Sequence, residues 1–124
     1  MSTNTPTTTK RNQCKNLVVY RNTSKAFELV FSKNCQPIDI TGWTIYFTAK
    51  EKMEDPDSSA IIKKDITAHL DPERGKTLIE LEPVDTNITP KSYYYDIKFV
   101  DDTGSSGILF TGRLLVREPV TTRG

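Results

Sequence analysis

Hydrophobic and polar residues alternate along much of this chain, which is the pattern of half-buried β-strands because successive side chains of a strand point to opposite faces. In the segment WTIYFTAK, at residues 43–50, every second residue is apolar, starting with Trp43 and including Phe47. The same alternation appears in KAFELVFS, TLIELE and SYYYDIKFV. These segments predict strands with one face toward a hydrophobic core.

The phase of the alternation separates core aromatic residues from exposed ones. Trp43 and Phe47 share a phase, and so do Tyr93 and Tyr95, so these four are predicted as structural core and corner residues. Tyr46 and Tyr94 fall on the opposite phase. We therefore expect Tyr46 and Tyr94 to be exposed and to be candidate contacts with other proteins.

Turn signals separate the strands. Pro72 and Gly75 in DPERGK predict a hairpin between ITAHL and TLIELE. The segment EPVDTNITPKS has no clean period and is predicted to contain a single helical turn before Pro90. Gly112 is predicted to mark a β-bulge in the long final strand, ILFTGRLLVRE.

The number and spacing of these elements predict an all-β fold. About seven or eight short antiparallel strands, with turn signals roughly every 8–12 residues and no long helix, are typical of a single immunoglobulin-like β-sandwich. A chain of 124 residues fits one domain. We expect a flexible, extended amino-terminal arm at residues 1–15, a sandwich at 16–120 and a carboxyl-terminal tail at 121–124.

Charge is distributed unevenly along the chain. Five of the 17 basic residues precede the first acidic residue, Glu28, which leaves 12 basic against 16 acidic residues in the rest. Three of the five, Lys10, Arg11 and Lys15, lie in the predicted arm and are candidate assembly contacts. No nucleic-acid-binding motif accompanies them, so nucleic acid is not an expected partner. The polar start, MSTNTPTTTKRNQ, predicts neither a membrane span nor an export leader.

The sequence contains no assembled catalytic or metal-binding motif, so we expect no enzyme activity, no metal and no cofactor. Cys14 and Cys35 lack the spacing of a zinc or thioredoxin-like site, and the sequence leaves open whether they form a disulfide. His69 is the single histidine and is expected at a strand end on the surface. The acidic segment EKMEDPDSS lacks the pattern of an EF-hand and is expected to be a solvated loop.

The succession PIDITGWTIYFTAK, AIIKKDIT, GKTLIELEPVDTNITP, SYYYDIKFVDDTG and ILFTGRLLV resembles the immunoglobulin-like amino-terminal domain of phage upper baseplate proteins and related small phage tail proteins. The resemblance implies that Asp39 and Thr41 hold the turn before Trp43. It also implies that Asp85 and Thr86 shape the corner that leads to Tyr93, whose hydroxyl ties the corner down as in a tyrosine corner.

The resemblance implies a structural role in a virion, as a subunit of a tail, baseplate or neck that packs against other virion proteins or copies of itself. We expect such a subunit to assemble through its edge strands and its arm. A different class remains open: a stand-alone adhesion or carbohydrate-binding module, with Tyr46, Tyr94 or Trp43 as a stacking platform. That module would be a monomer with exposed aromatic residues and saturable sugar binding.

Overall fold

The computed structural model describes residues 16–123, which form an all-β fold as predicted. The strands are Leu17–Tyr20 (β1), Lys25–Val30 (β2), Ser32–Lys33 (β3), Gln36–Pro37 (β4), Thr44–Lys50 (β5), Ile62–Ile66 (β6), Lys76–Leu81 (β7), Ser92–Val100 (β8) and Ser106–Arg117 (β9). The helical elements are 3₁₀ turns at Asp57–Ser59 and Pro72–Arg74 and a short α-helix, Pro83–Thr86 (α1). This helix is the single turn that the sequence predicts before Pro90.

The strands form the two layers of an immunoglobulin-like sandwich. One layer is a five-stranded sheet with the order β1-β9-β8-β5-β6, and the other contains the pair β2-β7. Strands β3 and β4 form a short antiparallel ribbon. The prediction of antiparallel strands is corrected for one pair, because β1 and β9 are parallel. These two strands come from opposite ends of the described chain and share no hairpin, so no short connection fixes their relative direction.

Alternation in β5 and β8 gives the sandwich a single core. The inward side chains of both strands are buried, and so are Leu29 of β2 and the inward side chains of β7. Phe27 of β2 is partly buried and packs against this core. The buried hydrophobic residues are Val19, Leu29, Phe31, Ile40, Trp43, Ile45, Phe47, Ala49, Ile62, Ile79, Leu81, Tyr93, Tyr95, Ile97, Phe99, Leu109, Phe110, Leu114 and Val116. The period-two prediction for these strands is therefore confirmed.

The β-bulge in β9 lies at Leu109 and not at Gly112. Ile97 of β8 is opposite Phe110 whereas Lys98 is opposite Ile108, so Leu109 is the extra residue. Gly112 pairs regularly with Tyr95. Leu109 and Phe110 are both buried although they are adjacent in sequence, which the extra residue makes possible. The run of three apolar residues that interrupts alternation is the sequence signal for this bulge.

The predicted hairpin at DPERGK is also corrected. Strand β6 pairs with β5 in the larger sheet, and β7 pairs with β2 in the smaller one, so the connection between them crosses from one layer to the other. Only an isolated bridge, Asp71 to Lys76, closes the turn. The turn residues dictate a tight reversal, but the pairing partners depend on which sheet each strand joins.

His69 joins the two layers and is half-buried, so the expectation of a surface histidine is corrected. Its Nε2 lies 2.8 Å from the carbonyl oxygen of Trp43, and its Nδ1 lies 2.8 Å from Oγ1 of Thr77 in β7. A carbonyl oxygen only accepts, so in the neutral ring Nε2 donates to Trp43 and Nδ1 accepts from the threonine hydroxyl. Thr77 is fully buried, and this bond satisfies its hydroxyl inside the core.

The crossing turn depends on Gly75. Gly75 has a φ of +74°, and a Cβ atom built on it would lie 2.5 Å from the carbonyl oxygen of Phe31 and 2.7 Å from that of Ile38. The backbone also holds this contact, because Phe31 N–H donates to Gly75 O at 2.8 Å. The close approach of two backbone segments therefore requires a residue without a side chain.

We expect Gly75→Ala to destabilise the fold more than Gly104→Ala. Gly104 has a φ of +94°, but a Cβ atom at this position would have nothing within 4 Å, so its replacement costs only the backbone strain of about 1–2 kcal/mol. Gly75→Ala adds a clash with two carbonyl oxygens, and we expect about 1–3 kcal/mol of further loss. Urea denaturation of both variants measures the difference. Equal free energies of unfolding would contradict this explanation.

Candidate interaction surface

The outer face of the larger sheet is a shallow groove of about 600 Å³. Residues from β5, β6, β8, β9 and the loop between β5 and β6 line it. They are Tyr46, Thr48, Lys50, Met53, Asp57, Lys63, Asp65, Tyr94, Tyr95, Asp96, Lys98, Val100, Ile108 and Thr111. Most of them occupy strand positions whose neighbours in sequence point into the core, so the alternation that builds the core also builds this groove.

Tyr46 and Tyr94 point outward as the sequence predicts, and both line the groove. The expectation that they are exposed is corrected, because both are half-buried by their neighbours on the sheet. They are not neighbours: Tyr46 is opposite Lys98, and Tyr94 is opposite Lys50. Four residues of strand separate these two pairs, which is about 13 Å along the sheet. The two rings therefore lie toward opposite ends of the groove.

Arg113 fixes the position of Tyr94. The guanidinium carbon of Arg113 lies 4.1 Å from the centre of the Tyr94 ring, and Arg113 Nε donates a hydrogen bond to Oγ of Ser92 at 3.0 Å. A guanidinium over an aromatic face is attracted by the ring electrons. One face of Tyr94 is thus covered by the protein itself. The sequence analysis did not identify Arg113, since its position beside Tyr94 depends on the register of β9 against β8.

Charged residues line the groove beside the two tyrosines. The Lys50 Nζ atom lies 2.9 Å from Oδ1 of Asp57, and this ammonium group lowers the pKa of the Asp57 carboxyl. Burial raises the pKa of the half-buried Asp96 carboxyl, and the positive charge of Lys50 opposes that rise. The other charged residues that line the groove are Lys63, Asp65 and Lys98. The alternation in IKKDI and SYYYDIKFV predicts that the charged residues of these strands point outward. It does not predict that they lie close together, because that depends on the order of the strands in the sheet.

Trp43 lies inside the sandwich and is not available as a stacking platform. Only 7% of its surface is exposed. Its ring stacks on Phe99 with centroids 5.2 Å apart and meets the edge of Phe31 at 5.6 Å. Phe47 and Tyr95 stack on each other at 5.6 Å and are also buried. These aromatic pairs fill the interior behind the groove.

The turn before Trp43 is held by Asp39 and Thr41. Oδ1 of Asp39 accepts hydrogen bonds from the backbone N–H of Thr41 at 2.9 Å and from its hydroxyl at 2.6 Å. These bonds lower the pKa of the Asp39 carboxyl because they stabilise its ionised form. In the same turn, the backbone N–H of Trp43 donates a hydrogen bond to the carbonyl oxygen of Ile40 at 3.0 Å.

Asp85 and Thr86 hold the corner that leads into β8. Oδ2 of Asp85 accepts from the backbone N–H of Glu82 at 2.7 Å within a capping box, and it also forms a salt bridge with Lys64 at 2.8 Å. Thr86 is fully buried. Its Oγ1 accepts from Thr23 N–H at 2.9 Å and donates to Thr23 O at 2.7 Å, which ties α1 to the β1–β2 connection.

Tyr93 fastens the same corner. Its ring is buried, and its hydroxyl donates to the carbonyl oxygen of Thr89 at 2.6 Å. This contact has the form of the tyrosine corner that the family resemblance implies. Burial raises the pKa of the Tyr93 hydroxyl, whereas the nearby Lys91 charge opposes the rise.

A second exposed feature is β1, which is an edge strand of the larger sheet within residues 16–123. Val18 and Tyr20 on this strand are 40% and 48% exposed. Lys10, Arg11 and Lys15, the predicted arm contacts, lie outside the described residues, as does the predicted arm as a whole. Asn16, the first described residue, accepts a hydrogen bond from Arg113 N–H through its Oδ1 at 3.2 Å. Asn16 therefore lies beside Arg113 of β9.

Two further predictions concern sulfur and metal. Cys35 is exposed, whereas Cys14, its candidate disulfide partner, lies outside the described residues. Within residues 16–123, no group of histidine, cysteine, aspartate and glutamate side chains is placed to hold a metal ion. Across the same span, none of the helices has the length and apolar character needed to cross a membrane.

Comparison with known proteins relates this chain to others by fold. No protein-family model and no curated protein sequence matches it. The N-terminal domain of phage TP901-1 ORF48 matches with a TM-score of 0.50 and 15% identity, over 90% of this chain and 93% of that one. This match confirms, for the fold, the resemblance to an amino-terminal phage domain.

Two other solved structures match with lower TM-scores. Fibronectin(III)-like modules of Clostridium thermocellum CbhA match with a TM-score of 0.43 and 13% identity, over 92% of this chain and 98% of theirs. CopC from Methylosinus trichosporium OB3b matches with a TM-score of 0.47 and 11% identity, over 87% of this chain and 89% of that one.

We expect Tyr93→Phe to lower the free energy of unfolding by about 1–2 kcal/mol, because the corner loses the hydrogen bond that the Tyr93 hydroxyl donates to the carbonyl oxygen of Thr89. Tyr94→Phe is the matched control, since its ring packs under Arg113 and no hydrogen bond of its hydroxyl is seen in the described chain. Thermal or urea denaturation measures both. If the two substitutions cost the same, Tyr93 does not act through its hydroxyl.

Proposed function

We propose that this chain is a non-enzymatic structural protein of a phage virion, a subunit of a tail, baseplate or neck. The observation that carries the proposal is the fold similarity to the N-terminal domain of phage TP901-1 ORF48, which extends over 90% of this chain. The ordered run of strand and turn motifs in the sequence supports the same role. On this proposal the protein works in the virion, where its partners are other virion proteins or further copies of itself.

The edge strand β1 is the feature best suited to assembly. In the described part of the chain, β1 pairs on one side only, with β9, so its other side presents backbone N–H and C=O groups that can pair with an added strand. Its sequence, LVVY, carries no charge and has high β-propensity. Such an edge accepts an extended segment from a neighbouring subunit.

The other edges of the two main sheets are less suited to strand addition. Strand β6, at the far edge of the larger sheet, carries Lys63, Lys64 and Asp65. Strands β2 and β7 each contain lysine and glutamate. Charged side chains on an edge strand disfavour pairing with another chain because they would be desolvated. The contrast among the edges favours β1 as the assembly edge.

The amino-terminal segment supplies a second contact in the proposed role. Residues 1–15 lead directly into β1 and carry the basic side chains Lys10, Arg11 and Lys15. A segment in that position reaches the surface that a neighbour on the β1 edge would present. Its charge favours an acidic neighbour.

The absence of catalysis is part of the proposal. His69 is the single histidine of the chain, and both of its ring nitrogens are engaged in bonds that join the two sheets. The carboxylates of Asp39 and Asp85 are likewise engaged in turns and a helix cap. His69, Asp39 and Asp85 therefore have structural roles in this proposal.

One observation favours a second candidate, a carbohydrate-binding module. Tyr46 and Tyr94 line the same groove, and polar side chains lie between them. An aromatic ring can stack on the apolar face of a sugar. Saturable binding of a glycan by the purified protein, lost in Tyr46→Ala, would favour this candidate over the virion subunit.

We expect removal of residues 2–15, or the double change Lys10→Glu and Arg11→Glu, to reduce incorporation of the protein into phage particles about tenfold or more. The deletion removes the attraction to an acidic neighbour, and the double change replaces that attraction with repulsion. Mass spectrometry of purified particles measures the copy number, and electron microscopy gives its location.

The control is Arg74→Glu, a reversal of an exposed arginine in the crossing turn, far from β1 in the sheet order. This variant should be incorporated normally. Absence of the wild-type protein from particles would contradict the virion role, and undiminished incorporation of the arm variants would contradict the role of the arm.

A further inference from the structure

The charges of the groove form a checkerboard around β5. In one row across the sheet, Tyr46 lies between Asp65 on β6 and Lys98 on β8. In the next row on the same face, Thr48 lies between Lys63 on β6 and Asp96 on β8. The sign of the charge therefore changes both across β5 and along it. We call these four charged residues the checkerboard.

The checkerboard charges are not neutralised by salt bridges within the domain. In the described chain, the salt bridges of the groove region use Lys50 with Asp57 and Lys91 with Glu51, and none includes a checkerboard residue. Lys63, Asp65 and Lys98 are exposed, and Asp96 is half-buried. The four charges sum to zero, so a partner with a single sign of charge would gain little from them. A partner with the same alternating pattern would pair with all of them.

We propose that this face is a self-association surface, on which a second copy of this chain docks face to face about a twofold axis that runs along β5. Such an axis places each β6 position opposite the β8 position of the same row in the second copy. Asp65 then meets the second copy's Lys98, and Lys63 meets the second copy's Asp96. Each contact occurs twice by symmetry.

The same axis brings the two copies of Tyr46 together at the centre of the interface. Paired aromatic rings add attraction beyond the area that they bury. An axis across the strands would also join opposite charges, Asp65 with Lys63 and Asp96 with Lys98, but it would place Tyr46 against Thr48. The tyrosine contact therefore favours the axis along β5.

The size of the face sets the strength of the dimer. Four strands at a spacing of about 4.8 Å, and the rows that line the groove, give a face of roughly 20 Å by 20 Å. Two copies would together bury roughly 800 Å² of accessible surface. Specific, stable interfaces begin at about 1,200 Å², so this interface is small. We expect a weak dimer, with a Kd of about 10–1,000 µM, which many adjacent copies in an assembly would reinforce.

The test is charge reversal with complementation in the purified full chain. Asp65→Lys alone and Lys98→Asp alone should each weaken self-association about tenfold or more, because each change creates two symmetry-related contacts between like charges. An equimolar mixture of the two variants should form a heterodimer as readily as the wild type, since Lys at 65 then faces Asp at 98 and the native pair is kept on the other side. Sedimentation velocity at protein concentrations up to about 0.5 mM measures the fraction of dimer for the wild type, each variant and the mixture.

Glu28→Lys is the matched control, because it makes the same change of charge at an exposed position of β2 on the other sheet. It should leave the Kd unchanged. Salt should weaken the wild-type dimer between about 50 and 500 mM NaCl, as expected for exposed ion pairs. Thermal denaturation checks that each variant is folded. If a charge-reversal variant is not folded, the neutral change at the same position, Asp65→Asn or Lys98→Gln, replaces it. We expect a neutral change to weaken self-association less than a charge reversal does.

A wild-type protein that remains monomeric at the highest concentration would overturn the proposal. So would single variants that associate like the wild type, or a mixture that fails to restore the dimer. The inference depends on the register of β5, β6 and β8 and not on the proposed virion role. Because it is tested with purified protein, its failure would leave the particle incorporation experiment unaffected.

Discussion

The register between β5 and β8 is the constraint on which the rest of this structure depends. It aligns Ile45 with Phe99 and Phe47 with Ile97, so that the inward side chains of both strands meet the smaller sheet as one core. The outward residues of the same strands form the groove. Because side chains alternate with a period of two, a slip of one residue would turn the groove charges into the core and expose the aromatic residues. Core and surface are therefore two results of one alignment.

Side chains at the loops hold the two layers in this arrangement. Among residues 16–123 the smaller sheet consists of β2 and β7, and a two-stranded sheet is marginally stable by itself. His69 ties the start of β5 to β7, and Thr86 ties the helical corner to the chain before β2. Tyr93 closes the corner from inside. Thr77, Thr86 and Tyr93 are buried residues, and these contacts give their hydroxyl groups a hydrogen-bond partner, which makes the contacts specific as well as stabilising.

The proposed functions use surfaces that this scaffold leaves open. Strand addition at β1 uses backbone groups, whereas docking on the groove uses side chains, so the two modes occupy different parts of the larger sheet and can operate together. One copy could then contact a neighbour through its edge and another through its face. A small β-sandwich with two such surfaces suits repeated assembly, in which many weak contacts add up.

The sequence by itself determined the fold class, the strands other than the short β3–β4 ribbon, the inward phase of Trp43 and Phe47, and the outward phase of Tyr46 and Tyr94, because alternation is a local property of the chain. It did not determine the parallel pairing of β1, the crossing turn at Gly75 or the position of the bulge at Leu109, since these depend on which distant strands become neighbours. The same holds for the candidate surface: the phase of Asp65 and Lys98 is local, but their positions on either side of Tyr46 are not. Only the tertiary structure brings β6 and β8 to opposite sides of β5, because strand order is fixed by the packing of the whole core and not by any one segment.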